Sequence, residues 1–317
     1  MKQENSKAEE LLEQGMSYSE NNEYEKALPY FKQAAELGLL EAQCMYIIDL
    51  LVISEESGKD FDEVWEKMKK TISVFRQSIQ RGLADTKKSA SGLVGGDANT
   101  IFMRESRFLS PVCRRACAYA IATAEANAKM FRIVACPTAG SCGVLPAVLL
   151  SYEEDFSATQ EDLVKALYVA AGIGTVIAEN ASLAGASGGC QAEIGSASAM
   201  AAGALASLQG GDAETIMHAA ALALKNMLGL VCDPVAGLVE VPCIKRNSCG
   251  AVNAVTSAQL ALAGIRSAIA PDDVIDSMRR IGNQLPPCLK ETSEGGLAVT
   301  ESARAYQRHS NKRRIEK

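Results

Sequence analysis

From about residue 110 onward the chain alternates Ala-rich runs of helical period with short turns built from Gly, Pro and Ser. That alternation leaves few folds open to it. Helices whose contact faces carry short side chains approach closely and pack on one another. Aromatic residues are only 5% of the chain, whereas hydrophobic residues reach 48%, enough for a sizeable core of small side chains. β-Branched residues come in clusters as short as Val239–Val241, which is too little for a set of strands. The expected fold class is all-α.

The periodicity places the elements. Phe61, Val64, Met68, Ile72, Phe75 and Ile79 recur at helical spacing and predict an amphipathic helix over 60–82, with Trp65 beside the stripe as a packing residue. A Ser/Gly-rich loop, Ser89–Asp97, follows. Pro111–Lys129 reads as one helix. Thr159 with Asp162 reads as a helix start, and Asp212 as a cap for a run through Ile216, Ala219, Ala220, Ala223 and Met227. Pro271 opens a helix that Gly282 is expected to stop. Before all of these, residues 6–44 read as a helical hairpin broken at Asn21-Asn22. Its Tyr24–Gln43 half resembles a single tetratricopeptide (TPR) or Sel1-like unit, with no second copy in the chain. The expected division is an N-terminal helical segment over 1–58, a main domain over 59–303 and a polar basic tail over 304–317.

Charge excludes some partners. The net charge is −6 and the isoelectric point about 5.2, so nucleic acid is not the expected partner. The one basic run, Arg308–Lys317, suits a solvated terminus. The largely apolar stretch Met217–Val231 is interrupted by His218, Lys225 and Asn226, and the first residues are polar, so neither a membrane span nor a secretory leader is expected. The expected location is cytoplasmic, where ten cysteines act as buried thiols or ligands rather than disulfides.

The chemistry narrows to those cysteines. There are only two histidines, His218 and His309, and no paired-histidine zinc motif, Walker loop or dinucleotide fingerprint. Ser141, between Gly140 and Cys142, lacks a strand–turn–helix setting, and His218 would be its only base, so a serine hydrolase is not expected. Cys190 follows Gly188-Gly189, Cys232 precedes Asp233-Pro234, and Cys243 follows Pro242, so each is expected at a turn rather than inside a helix. Their spacing matches no zinc ribbon or ferredoxin, and by spacing alone they read first as buried thiols of a small-residue core and second as ligands of a metal centre. Cys113 and Cys117 share a helix face and read as core; Cys142 and Cys249 lie near the site segments.

Five segments occur in the order of a known family. SGLVGGDA (91–98), CPTAGSCGVLP (136–146), AENASLAGASGGCQAEIGSASAMAAG (178–203), GLVCDPVAGLVEVPCIKRN (229–247) and PPCLKETSEGGLAVT (286–300) resemble the α chain of bacterial iron–sulfur L-serine dehydratase. The resemblance covers roughly residues 60–300. It implies a helical α domain and a [4Fe–4S] cluster held by Cys190, Cys232 and Cys243. It implies deamination of L-serine to pyruvate and ammonia without pyridoxal phosphate. It also implies a β subunit, because the family's Ser-Ser-His-Thr segment, carried by its β part, does not occur here. On that resemblance Lys290, Thr292 and Ser141 are candidate catalytic residues. Arg246, Asn247, Asn180, Thr138 and Ser91 are candidate substrate contacts, Arg246 for its bidentate fork. Cys288 is a candidate for approaching the fourth iron. The Gly95–Asp97 and Gly140–Gly143 backbones are candidate carboxylate cradles. Two other readings stay open: a related cluster-dependent lyase such as an L-cysteine desulfidase, and a non-catalytic scaffold that binds a partner through its N-terminus.

Overall fold

A computed structural model describes residues 2–19, 21, 23–36 and 61–306. All regular elements among the described residues are helical, and the one β pairing among them is an isolated parallel bridge between Cys232 and Lys290. The all-α expectation holds. The longer helices are α1 (Lys2–Ser19), α2 (Tyr24–Glu36), α3 (Phe61–Ala84), α4 (Asp97–Met103), α5 (Pro111–Ala128), α6 (Val144–Phe156) and α7 (Gln160–Asn180). A one-turn helix α8 (Gly185–Gly188) leads to α9 (Ser196–Leu208), α10 (Ala213–Lys225), α11 (Cys243–Leu262) and α12 (Pro271–Gln284).

Local chemistry starts these helices. Pro111 sits at the first position of α5, where its missing N–H costs nothing, and the Ser110 hydroxyl accepts from Cys113 N. Thr159 and Asp162 form a complete capping box on α7, and Asp212 accepts from Thr215 N at 2.8 Å to cap α10. Small side chains then let the helices close. Residues 196–206 of α9 are all buried, and α9 is packed by α6, α7, α10 and α11. Gly82 of α3 faces α5 so closely that a Cβ there would lie 1.9 Å from the Ala122 carbonyl oxygen.

Two expectations are corrected. Gly282 does not end α12, which continues to Gln284. It is buried instead, and a Cβ on it would stand 3.0 Å from Gly188 Cα, so its role is close packing of α12 on α8. Cys190 and Cys243 also do not sit in free turns. Cys190 directly precedes a π-helical turn, Gln191–Gly195, and Cys243 is the first residue of α11.

α1 and α2 form a hairpin with its own small core of Ala27 and Phe31, packed by Leu12, Met16, Tyr18 and Ala213. The repeat-like comparison runs on to Gln43, and residues 37–43 lie outside the described residues, as do 307–317 of the tail. Among the described residues no helix is long and apolar enough to cross a membrane.

Candidate metal centre

Three separate segments bring buried cysteines into one neighbourhood. Cys190, Cys232 and Cys243 are 2%, 3% and 6% exposed; Cys190 and Cys243 act electrostatically on Cys232, and Cys190 on Cys243. Burial pushes the Cys190 thiol up to about 11 against the pull of Arg246, and the Cys243 thiol up to about 12. Cys232 is driven up further by burial, then by Glu193 and the two other cysteines. Buried thiols of this kind stay protonated until a metal replaces the protons. Cys190 and Cys243 each open a helix, and the partial positive charge of a helix start favours a thiolate.

Hydrogen bonds hold the three segments. The Gln191 side chain, fully buried, accepts from Gly229 N at 2.9 Å and donates to the carbonyls of Gly188 and Met278. Its backbone N–H donates to the Leu230 carbonyl at 2.9 Å, joining the Cys190 and Cys232 segments. Cys232 N donates to Leu289 O at 2.9 Å and Glu291 N donates to Cys232 O at 2.8 Å, which forms the bridge to Lys290. Asp233 accepts from Leu297 N at 2.8 Å and lies 2.9 Å from Arg246 Nη2.

The expected site residues divide into groups. Arg246 Nη1 donates to the Val231 carbonyl at 2.8 Å, so with Asp233 its fork is engaged by the cysteine segment itself. Asn247 is fully buried; its Oδ1 accepts from Gly143 N at 2.8 Å, and its Nδ2 donates to Gly140 O at 2.7 Å and Cys243 O at 2.9 Å. It locks the 140–143 turn to the start of α11. Thr138 Oγ1 donates to Glu193 Oε1 at 2.7 Å and meets Ser141 Oγ at 3.1 Å. Ser91 and Ser89 both donate to Glu240, three residues before Cys243. Lys290 and Thr292 lie on the segment that pairs with Cys232, where Thr292 Oγ1 donates to the Pro287 carbonyl at 3.1 Å. Asn180 is apart from these: exposed at the end of α7, it donates to its own helix at Val176 O. Cys288 is half-buried next to Leu289, Cys142 is buried and Cys249 exposed.

Of the two proposed cradles, the first holds a carboxylate belonging to the chain. Gly96 N and Asp97 N donate to buried Glu125 at 3.0 and 2.9 Å. In the second, Gly143 N is taken by Asn247.

The residue that sequence reasoning missed is Glu193. It is buried on the π-helical turn, with Cys232 Sγ donating to its Oε2 at 3.8 Å. Burial raises its pKa, partly offset by the Thr138 hydrogen bond. Two glycines clear its surroundings: a Cβ on Gly140 would fall 2.8 Å from Oε1, and one on Gly185 2.7 Å from Oε2 and 3.0 Å from Cys232 Sγ. The available signal was a lone acid inside a run of small and apolar residues, Ala192 to Ala204. Among the described residues no three His, Cys, Asp or Glu side chains gather closely enough to hold a single metal ion.

Comparison with known proteins gives the family. The family model described as serine dehydratase alpha chain matches residues 5–298. The chain belongs to the serine dehydratase alpha-chain family. It is 45% identical over 284 residues to a probable L-serine dehydratase alpha chain of Bacillus subtilis, covering 88% of this chain and 94% of the relative. It is 40% identical to an L-serine dehydratase alpha chain of Peptoniphilus asaccharolyticus, over 81% of this chain and 90% of that one. L-serine dehydratase 1 of Escherichia coli is 37% identical over 87% of this chain, but the match takes in only 63% of that longer protein. Within the serine dehydratase alpha-chain family match lie all three cysteines, Glu193 and the Arg246–Asp233 pair.

Proposed function

We propose that this chain is the α subunit of an iron–sulfur L-serine dehydratase that converts L-serine to pyruvate and ammonia. The observation that carries the reading is the buried convergence of Cys190, Cys232 and Cys243 in a member of this family. The donor set fits a cluster better than a single ion. Three buried thiols from three segments are the donor type that holds an iron–sulfur cluster. Cys190, Cys232 and Cys243 would hold a [4Fe–4S] cluster, which would supply Lewis-acid activation of the leaving hydroxyl.

The chain's own residues supply the frame. Arg246, Asp233 and Gln191 fix the backbone on either side of Cys232, and Asn247 fixes the start of α11 at Cys243. Thr138 places its hydroxyl on Glu193, with Ser141 hydrogen-bonded to Thr138, and the backbone bridge sets Lys290 beside Cys232. The reaction removes the Cα proton and the β-hydroxyl as water, giving aminoacrylate, and one water then converts it to pyruvate and ammonia. The base for the Cα proton is assigned to a β partner. Support comes from the relatives matched almost whole, which are named alpha chains, and from the extra length of the Escherichia coli relative.

The test is anaerobic co-purification with the β partner and assay with L-serine and L-cysteine. Pyruvate from L-serine supports the reading. Sulfide from L-cysteine with little serine turnover would replace it with a desulfidase, and an iron-free complex inert to both would leave only the scaffold role.

A further inference from the structure

We propose that the β partner docks on the groove between α4 and α5, taking Phe108 and Met103 into an apolar surface and setting carboxylates against Arg104 and Arg107; this rests on the α-subunit reading and adds the place where the partner sits.

Phe108 is 97% exposed and Met103 73% exposed. The turn that presents them is held in shape. The Ser106 hydroxyl accepts from Phe108 N at 3.3 Å and from Leu109 N at 2.9 Å. Arg114 Nη1 donates to the carbonyls of Phe102 at 2.6 Å and Arg104 at 3.1 Å, and the Phe102 ring stacks on Tyr119. An apolar side chain on a fixed frame has little freedom left to lose on association. Beside it lies a groove of about 490 Å3, with Ile101 and Leu109 in its lining. Phenylalanine, methionine and arginine together are what protein interfaces are enriched in, and exposed apolar side chains rimmed by charge mark such a surface.

Charge selects the occupant. The chain carries a net −6, yet Arg104, Arg107 and Arg114 line this one groove. Among the described residues neither Arg104 nor Arg107 has a carboxylate partner, and the groove's Asp97 is already paired with Lys245. An acidic surface complements the groove. A second copy of the same groove would set arginine against arginine, and the chain's own basic run, Arg308–Lys317, has the wrong sign. Position selects the β partner. Lys245 stands two residues after Cys243, so its pair with Asp97 joins the groove wall to the start of α11. A partner seated here stands beside a cysteine-bearing segment, where the base assigned to it is required. The Escherichia coli relative carries further chain beyond the match, of the kind a partner surface needs.

The experiment titrates full-length, cluster-loaded α chain with the β partner of the co-purification above, by calorimetry at low and high salt. Wild type is compared with Phe108→Ser, with Arg104→Glu combined with Arg107→Glu, and with Met130→Ser, a 90% exposed residue beyond the far end of α5. Phe108→Ser should raise the Kd at least about 10-fold. The double charge reversal should do the same and remove most of the salt dependence. Met130→Ser should stay within about twofold of wild type. Melting of the isolated α variants should match wild type, and if Phe108→Ser melts lower, the charge reversal carries the test. L-serine turnover at limiting β should fall with the Kd and recover with excess β. Unchanged Kd in Phe108→Ser and the charge reversal, or equal weakening in Met130→Ser, overturns the docking site. Self-association of α that Phe108→Ser abolishes while β affinity holds also overturns it, in favour of a second copy. Phe108-dependent association without pyruvate from L-serine contradicts the dehydratase reading and leaves the docking face standing; pyruvate with Phe108-independent association contradicts the docking face alone. Wild-type chains that do not associate contradict both.

Discussion

Asp233 Oδ1 lies 2.9 Å from Arg246 Nη2, joining the residue after one candidate ligand to a residue one helical turn after another. The pair is mostly buried, and Arg246 also holds the Val231 carbonyl. Removing one partner leaves the other buried and uncompensated, so Arg246→Met is expected to destabilise the chain by about 3 kcal/mol in denaturant unfolding. Arg246→Lys should recover only part of this, because one ammonium cannot reproduce the two-pronged grip. Asp233→Asn combined with Arg246→Met should cost clearly less than the sum of the single changes. Additive costs would show that the two residues act independently.

Asn247 uses both ends of its amide, accepting from Gly143 and donating to Gly140 and Cys243. Asn247→Ala strands the buried Gly143 N–H and Gly140 carbonyl and should lower stability by about 2–4 kcal/mol. Asn247→Asp should be no better, since a carboxylate faces two carbonyl oxygens there. Thermal melting of both variants checks the order, and a near-wild-type Asp variant would contradict it.

Gly282→Ala tests the packing of α12 on the Cys190 segment. The new methyl would meet Gly188 Cα at 3.0 Å and Gln191 Nε2 at 3.4 Å. Backbone cannot yield as a side-chain tip can, so an overpacking cost of about 1–3 kcal/mol is expected. Iron retention should fall with it, because Gln191 ties the Cys190 and Cys232 segments together. Unchanged melting would mean that the two segments separate freely.

This position also shows what the amino-acid pattern could convey. Thr159 and Asp212 announced their helices because a cap is a local event, read from a few neighbouring residues. The helical class was legible for the same reason: period and turn chemistry are local. Gly282 was misread because a helix-stopping glycine and a close-packing glycine look alike until the distant Gly188 is brought beside it. The three cysteines were legible only through their surrounding segments, since their meeting depends on contacts such as Gln191–Gly229. Arg246 was recognised as important, but its fork is shared with Asp233, which no spacing rule indicates. Glu193 was missed because its neighbours Thr138 and Cys232 are far along the chain.

The Asp212 cap gives a pH dependence. Its hydrogen bonds to Thr215 hold its pKa below the usual aspartate value, and those to Thr159 do the same for Asp162. A depressed folded-state pKa contributes stability that is present above the unfolded value and lost as pH falls through the folded one. Stability should therefore decline as pH drops below about 4. Asp212→Asn, which keeps the cap without the titration, should show a shallower decline, and Asp212→Ala should cost about 1 kcal/mol at neutral pH. Unfolding curves across this range decide it; a wild-type slope in the Asn variant would contradict the assignment.

The most direct measurement is iron and acid-labile sulfide per complex after anaerobic reconstitution of Cys190→Ser, Cys232→Ser and Cys243→Ser, beside Cys249→Ser at an exposed position of the same helix as Cys243. Wild type and Cys249→Ser should hold about four irons and four sulfides, and each of the three buried variants should fall well below this while remaining folded. Full iron and sulfide in any of those three, or equal loss in Cys249→Ser, would contradict a cluster held by Cys190, Cys232 and Cys243.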